Sequence, residues 1–158
     1  MSAALDELRR VAGDIPDPEI PVLTIADLGI LRDVRVDASG HVDVDITPTY
    51  FGCPALDVIR EQVRDRVSAS GHDDVSVNVV LSPPWSSDAL SDEARRKLRE
   101  HGVAPPRPRS ALALPLAVEC PVCGSAHTQE VAHFAGTPCQ ALRRCGSCTE
   151  PFQHFKEH

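Results

Sequence analysis

The sequence is poor in aromatic residues, with one Trp, one Tyr and four Phe among 158 positions. It has no apolar run approaching the roughly 18 residues that cross a bilayer, so it offers no transmembrane helix. The opening stretch MSAALDELRRVAG has no apolar segment of the kind a secretory leader needs, which points to a cytoplasmic protein. Positive charge is also scarce: 16 Lys and Arg stand against 23 Asp and Glu, a formal net of −7. Residues 1–103 hold 19 acidic and 11 basic side chains, whereas residues 104–158 hold 4 and 5. Neither part has the clustered Lys and Arg that neutralise phosphates, so nucleic acid and anionic membrane are not expected partners.

What is present suits a small globular fold. A hydrophobic share of 42% can bury a modest core, and the length fits one domain with an appendage. Leu5, Leu8, Val11 and Ala12 share one helical face, which Gly13 ends. Pro16, Pro18 and Pro21 then force an extended or turning segment. Val34 and Val36 alternate with charged neighbours, and after a turn at Asp37–Gly40 so do Val42, Val44 and Ile46, giving a hairpin with one wet face. Leu56, Ile59, Val63 and Val67 form an apolar stripe on a second helix, and Val75, Val77, Val79 and Leu81 alternate as a third strand. A trailing helix over about Ser91–Glu100 has a Ser N-cap, acids in its first turn and Gly102 beyond it. The expected fold class is α+β: a three-stranded sheet with two packing helices in the order α-β-β-α-β, plus the trailing helix. The expected domains are 1–103, a proline-rich linker over 104–117, and a cysteine-rich module over 118–158. Trp85 reads as a packing anchor.

Five of the six cysteines fall in that last module. Cys120-Pro-Val-Cys123 and Cys145-Gly-Ser-Cys148 are two C-x-x-C turns separated by 21 residues. Each turn can aim two sulfurs at one ion, and two turns complete a tetrahedral four-thiolate site of the kind zinc prefers. The expectation is a zinc ribbon, with an iron–sulfur cluster on the same thiolates as the alternative. Gly124 and Gly146 supply the backbone freedom such turns need. Cys139 is the candidate accessory ligand should one knuckle cysteine not serve. His127 and His133 read as ordinary surface or packed residues, and Phe134, Phe152 and Phe155 as the ribbon's small core.

The remaining cysteine, Cys53, precedes Pro54 and the second helix. A thiol there faces unpaired N–H groups that favour the thiolate, so it could bind a metal or hand over a cluster. The plainer alternative is a buried cysteine acting as a small hydrophobe. Asp17 and Glu19 in the proline-rich turn could place two carboxylates beside it, or only cap that turn. No Cys/His pair stands at a catalytic spacing, and no catalytic residue is assigned.

Asp17-Pro-Glu-Ile-Pro-Val, Asp27-Leu-Gly-Ile30 and Thr47-Pro-Thr-Tyr-Phe-Gly-Cys-Pro-Ala55 resemble the small domain of cytosolic iron–sulfur assembly and metal–sulfur maturation factors. Further matching stretches are Pro83-Pro-Trp85, residues 96–106, Phe134-Ala-Gly-Thr-Pro-Cys-Gln-Ala-Leu, Cys145-Gly-Ser-Cys148 and Glu150-Pro-Phe-Gln-His-Phe-Lys156. With these, the sequence resembles nearly end to end the family of D components encoded with bacterial phenylacetyl-CoA ring epoxidases. The resemblance implies an accessory factor in aerobic phenylacetate catabolism. Its partners would be the oxygenase subunits or the flavin/iron–sulfur reductase of that system, with a homo-oligomer as a further option. It also implies a cluster- or iron-handling role for Cys53, with Asp17 and Glu19 matching the family's acidic turn. The implied cofactors are structural zinc and a transient iron or iron–sulfur unit. Phe51 is a departure that makes the cysteine's surroundings more apolar.

Overall fold

The computed structural model describes residues 2–108 and 117–158. The chain divides into two compact units, Met1–Trp85 and Ser86–His158. The prolines suggest a boundary at 103/104 instead. Most of the expected linker over 104–117 lies outside the described residues.

The first unit follows the α-β-β-α-β order, with α1 (Ala3–Gly13), β1 (Leu31–Val36), β2 (Val42–Ile46), α2 (Ala55–Ala69) and β3 (Val75–Val79). The Ser2 hydroxyl accepts the Leu5 amide at the start of α1, where the first N–H groups lack helical partners. Gly13 does more than end that helix: a Cβ there would stand 2.9 Å from the Ala26 Cβ, so the close approach requires glycine. The sheet order is β1-β2-β3, with β1 antiparallel and β3 parallel to β2. Val42, Val44 and Ile46 are fully buried, and α2 adds Ala55, Ile59, Val63 and Val67. On the wet face the Arg35 guanidinium donates to both Asp45 carboxylate oxygens, at 2.6 and 3.0 Å.

Residues 14–30 are neither helix nor strand, yet Ile15, Ile20, Leu23, Ile25, Leu28 and Ile30 are all buried. Short-range bonds satisfy their backbone. The Asp17 amide donates to the Leu23 carbonyl (2.8 Å) and the Ile25 amide to the Ile15 carbonyl (2.9 Å). Thr24 and Asp27 exchange reciprocal bonds, each side chain accepting the other's amide at 3.1 and 3.0 Å. Trp85 is the expected anchor, buried with its indole N–H donating to the Leu28 carbonyl at 2.7 Å.

The second unit contains a short 3-10 turn (Ser87–Ala89), α3 (Asp92–Glu100), β4 (Val103–Ala104), β5 (Thr128–Ala132), β6 (Gln140–Cys145) and β7 (Pro151–Phe155). Its sheet order is β4-β7-β6-β5. The two-residue β4 runs parallel to β7, pairing Val103 with Gln153 and Ala104 with His154. That pairing ties the end of α3 to the ribbon sheet, which is why the trailing helix groups with the ribbon. Phe152 and Phe155 are buried, as expected of core residues, but Phe134 is 67% exposed. The Lys156 ammonium lies 4.3 Å from its ring centroid, so Phe134 is a surface partner for a cation and not part of the core.

Glu157 clips β4's continuation to the C-terminal segment. One of its oxygens accepts the Arg107 amide and guanidinium, both at 3.0 Å, with His154 Nε2 at 3.5 Å. Burial alone would raise this carboxyl, but the bonds from His154 and Arg107 hold it far below its ordinary value. Its stabilising effect is therefore complete above the unfolded carboxyl's pKa of about 4.3 and fades as pH falls toward the lower folded value. Glu157→Gln should destabilise the second unit by about 2 kcal/mol at pH 7 in chemical unfolding. The gap from wild type should narrow below about pH 5.

Candidate functional site

The four-cysteine site is built by two similar turns. The Cys120 amide donates to the Ser125 carbonyl at 2.9 Å, and the Cys145 amide to the Glu150 carbonyl at 3.0 Å. Both turns place a left-handed residue just after the second cysteine, Gly124 at φ +74° and Thr149 at φ +65°. Gly146 has a different role from the one expected. Its φ is not positive, but a Cβ there would fall 2.5 Å from the His127 ring, and its amide donates to the His127 carbonyl at 2.7 Å. Glycine lets the His127 ring lie against the turn, and any side chain there would displace that ring.

Together the turns bring the sulfurs of Cys120, Cys123, Cys145 and Cys148 within 4.8 Å of one another. Cys120 and Cys148 Sγ are 3.7 Å apart, and Cys123 and Cys145 Sγ 3.6 Å. A tetrahedral ion with metal–sulfur bonds of about 2.3 Å requires edges of about 3.8 Å, so the donor set fits a single ion. The amides of Ser147 and Cys148 donate to Cys145 Sγ at 3.3 and 3.5 Å. Such bonds lower the Cys145 thiol toward the thiolate form that a metal ligand must adopt. Cys139 stands outside this group. It is buried, with its sulfur 3.1 Å from Thr137 Oγ1.

Cys53 is half-buried immediately before α2, after Gly52 at φ +78°. Burial raises its thiol, and the negative charges of Glu19 and Asp17 push the same way. These effects outweigh the bonds from the Ala55 amide and Tyr50, which favour the thiolate. The helix-start environment therefore does not produce the low-pKa cysteine expected from the sequence. Without a cation, the protonated thiol is favoured. Asp17 is buried, and one of its oxygens accepts the Glu19 and Ile20 amides, each at 2.8 Å. It caps its turn and also lends its field to Cys53. Burial raises the Asp17 carboxyl against those two amides. Among the described residues, the only group of three or more His, Cys, Asp or Glu close enough to share an ion is the four-cysteine one. Cys53, Asp17 and Glu19 form an electrostatic neighbourhood and not a completed metal cage. The contribution of Tyr50 beside the thiol was missed in the sequence, although it lies only three positions away.

Comparisons with known proteins agree with this two-part layout. Residues 5–79 match the iron-sulfur cluster assembly protein family, and residues 104–156 match the PaaD zinc beta ribbon domain. A solved Bacillus anthracis domain of unknown function, DUF59, is 31% identical, with a TM-score of 0.57 over 61% of this chain and 92% of that one. A Porphyromonas gingivalis iron–sulfur protein maturation auxiliary factor is 39% identical over 59% of this chain and 89% of its own length. An Escherichia coli K12 protein, provisionally named as the D component of 1,2-phenylacetyl-CoA epoxidase, is 45% identical over 95% of this chain and 91% of its own. With that relative matched almost end to end, and an assembly domain joined to its characteristic ribbon, the chain belongs to the PaaD family.

Proposed function

We propose that this protein is a cytoplasmic accessory factor that helps load iron or an iron–sulfur unit into the phenylacetyl-CoA epoxidase or its reductase. Cys53 holds the cargo in transit, and zinc fills the four-cysteine site as a structural ion. The observation that carries the reading is the setting of Cys53. A half-exposed thiol with an amide donor and two nearby carboxylate charges sits in the domain that matches iron–sulfur assembly proteins. The charges that disfavour an empty thiolate favour a cation, and metal binding itself expels the thiol proton. One sulfur without a full ligand cage suits transient holding, because the receiving protein supplies the remaining donors and so pulls the cargo across.

The reading of the ribbon as zinc is supported by its sulfur spacing. In a cluster, thiolates bound to different irons stand further apart than the 4.8 Å within which all four sulfurs lie here. A redox role through a ribbon-held cluster is accordingly disfavoured.

The test is anaerobic loading of the metal-free epoxidase components with wild type or Cys53→Ser, reading client iron content and epoxidation rate. Wild type should accelerate loading, and Cys53→Ser should lose at least about tenfold of that acceleration while keeping about one zinc per chain. Full loading by Cys53→Ser would refute the carrier role.

A further inference from the structure

The exposed apolar side chains of the first unit are not scattered evenly. Five large ones are exposed: Val36, Phe51, Val58, Val79 and Leu81. β2 and β3 are parallel, with Ile46 opposite Val79, so both strands finish at the same end of the sheet. The pairing continues one residue beyond, where the Val80 amide donates to the Ile46 carbonyl at 2.8 Å. From that end the chain passes through Phe51 and Cys53 into the first turn of α2, which carries Val58. Val79 and Leu81 leave β3 at the same place. Val36 ends β1, which runs antiparallel to β2, and so lies at the opposite end, across from Val42.

Four of the five thus gather at the Cys53 end. Phe51 is 93% exposed and adjoins a Gly52 held at φ +78°, a conformation that side chains resist. The sequence places Val79 and Leu81 in one alternating strand with Val77, yet β3 ends at Val79, and Val79 and Leu81 are 38% and 56% exposed while Val77 is 5%. β3 is an edge strand, and the core covers only its middle.

The first unit is acidic as a whole, although Arg32 also lies at this end, donating to the Pro83 carbonyl at 2.9 Å. The first unit has 15 acidic residues and 7 Arg, with no Lys, and the carboxylates of Glu19 and Asp17 act directly on Cys53. An exposed aromatic sharing one end of the sheet with other exposed apolar side chains and two carboxylates has the composition of an interface anchor with a polar rim.

We infer that Phe51, Leu81, Val79 and Val58 form the surface that docks the receiving protein. That protein presents an apolar pocket rimmed by Lys and Arg, which seats Phe51 and brings its acceptor site to Cys53. This rests on the carrier reading of Cys53 and adds the partner's chemistry to it. The acidic charge selects against an anionic membrane and steers a basic protein surface.

The test is a titration of the full, zinc-loaded chain against the purified oxygenase subunits and, separately, the reductase, at low and high salt. Phe51→Ser should weaken binding about tenfold or more. Leu81→Ser should weaken it less, Val36→Ser should not change it, and salt should weaken the wild-type complex. Equal binding by wild type and Phe51→Ser overturns the proposal, as does absence of wild-type binding to both components. Sedimentation of the chain alone should show no self-association that Phe51→Ser abolishes; if it does, the face is a dimer contact and the proposal falls. The outcomes separate from those for Cys53. Phe51→Ser keeps the thiol, so lost binding with normal loading by Cys53→Ser sinks the carrier role and leaves the docking surface standing.

Discussion

Removing the ion from the four-cysteine site should collapse the knuckle end of the ribbon and leave the first unit's sheet intact. The reason is what the local core is made of. Ala104, Val118, Cys120, Cys145 and Phe152 form one buried cluster, with Cys148 packed against it. Three of those six side chains belong to the four-cysteine group, so that group is itself half of the local hydrophobic core. Without an ion, the thiolates at 3.6 and 3.7 Å separations repel one another, or take up protons and lose their cross-link. Thr149, held in the left-handed region at φ +65°, then has nothing to keep a β-branched residue there. Structural zinc supplies an apparent folding energy on the order of 10 kcal/mol in small modules of this kind. Chelation, or Cys145→Ser, should therefore lower the ribbon's unfolding temperature by roughly 20 °C or more. Amide spectra provide the regional readout. Signals of Cys120, Gly124, Cys145 and Gly146 should lose dispersion, while those of Val42, Val44 and Val77 stay. Knuckle signals that remain dispersed after the metal is removed would show that the ribbon does not depend on it.

The grouping of the four ribbon cysteines was legible from sequence because a C-x-x-C turn is local: two sulfurs three residues apart need no distant partner to face the same point. The β1–β2 hairpin and α2 were legible for a similar reason, since alternation and the helical stripe lie within a few residues of chain. Residues 14–30 were not legible. Their burial has no period, because turns such as the Thr24–Asp27 exchange satisfy the backbone in place of a ladder. Nor was β4 legible, a two-residue strand whose partner β7 lies about fifty positions on. Phe134 looked like core because phenylalanine usually is, and only the approach of Lys156 explains its surface position. At the candidate site the residues were visible and their electrostatics were not. The helix start favours a thiolate, but Asp17 and Glu19 are more than thirty positions from Cys53, and the sum of their charges with burial emerges only from the folded arrangement. The same holds for Gly146, whose constraint comes from the His127 ring and not from its own backbone angle.

Trp85 provides the second large effect and ties stability of the first unit to the segment whose charges act on Cys53. Its indole N–H donates to the carbonyl of Leu28, which is 1% exposed and 57 residues away in sequence. Leu28 belongs to the turn that Thr24 and Asp27 close, and that turn is stitched to the segment carrying Asp17 through Ile25–Ile15 and Asp17–Leu23 bonds. Trp85→Ala should therefore cost about 4 kcal/mol, combining the cavity left by the ring with a buried carbonyl left unpaired. Trp85→Phe keeps most of the ring and loses only the donor, so it should cost about 2 kcal/mol. For a domain whose whole stability is of the order of 5–15 kcal/mol, the alanine variant leaves the first unit marginal. The functional consequence follows from the same bonds. Loosening the 24–29 turn loosens the Asp17 cap, and with it the position of the Asp17 and Glu19 charges that act on the half-buried Cys53. In zinc-loaded protein, Cys53 of Trp85→Phe should react faster with a thiol reagent than wild type, in parallel with its lowered unfolding midpoint. A phenylalanine variant with an unchanged midpoint and an unchanged thiol rate would show that the bond to Leu28 supports neither the turn nor the site beside it.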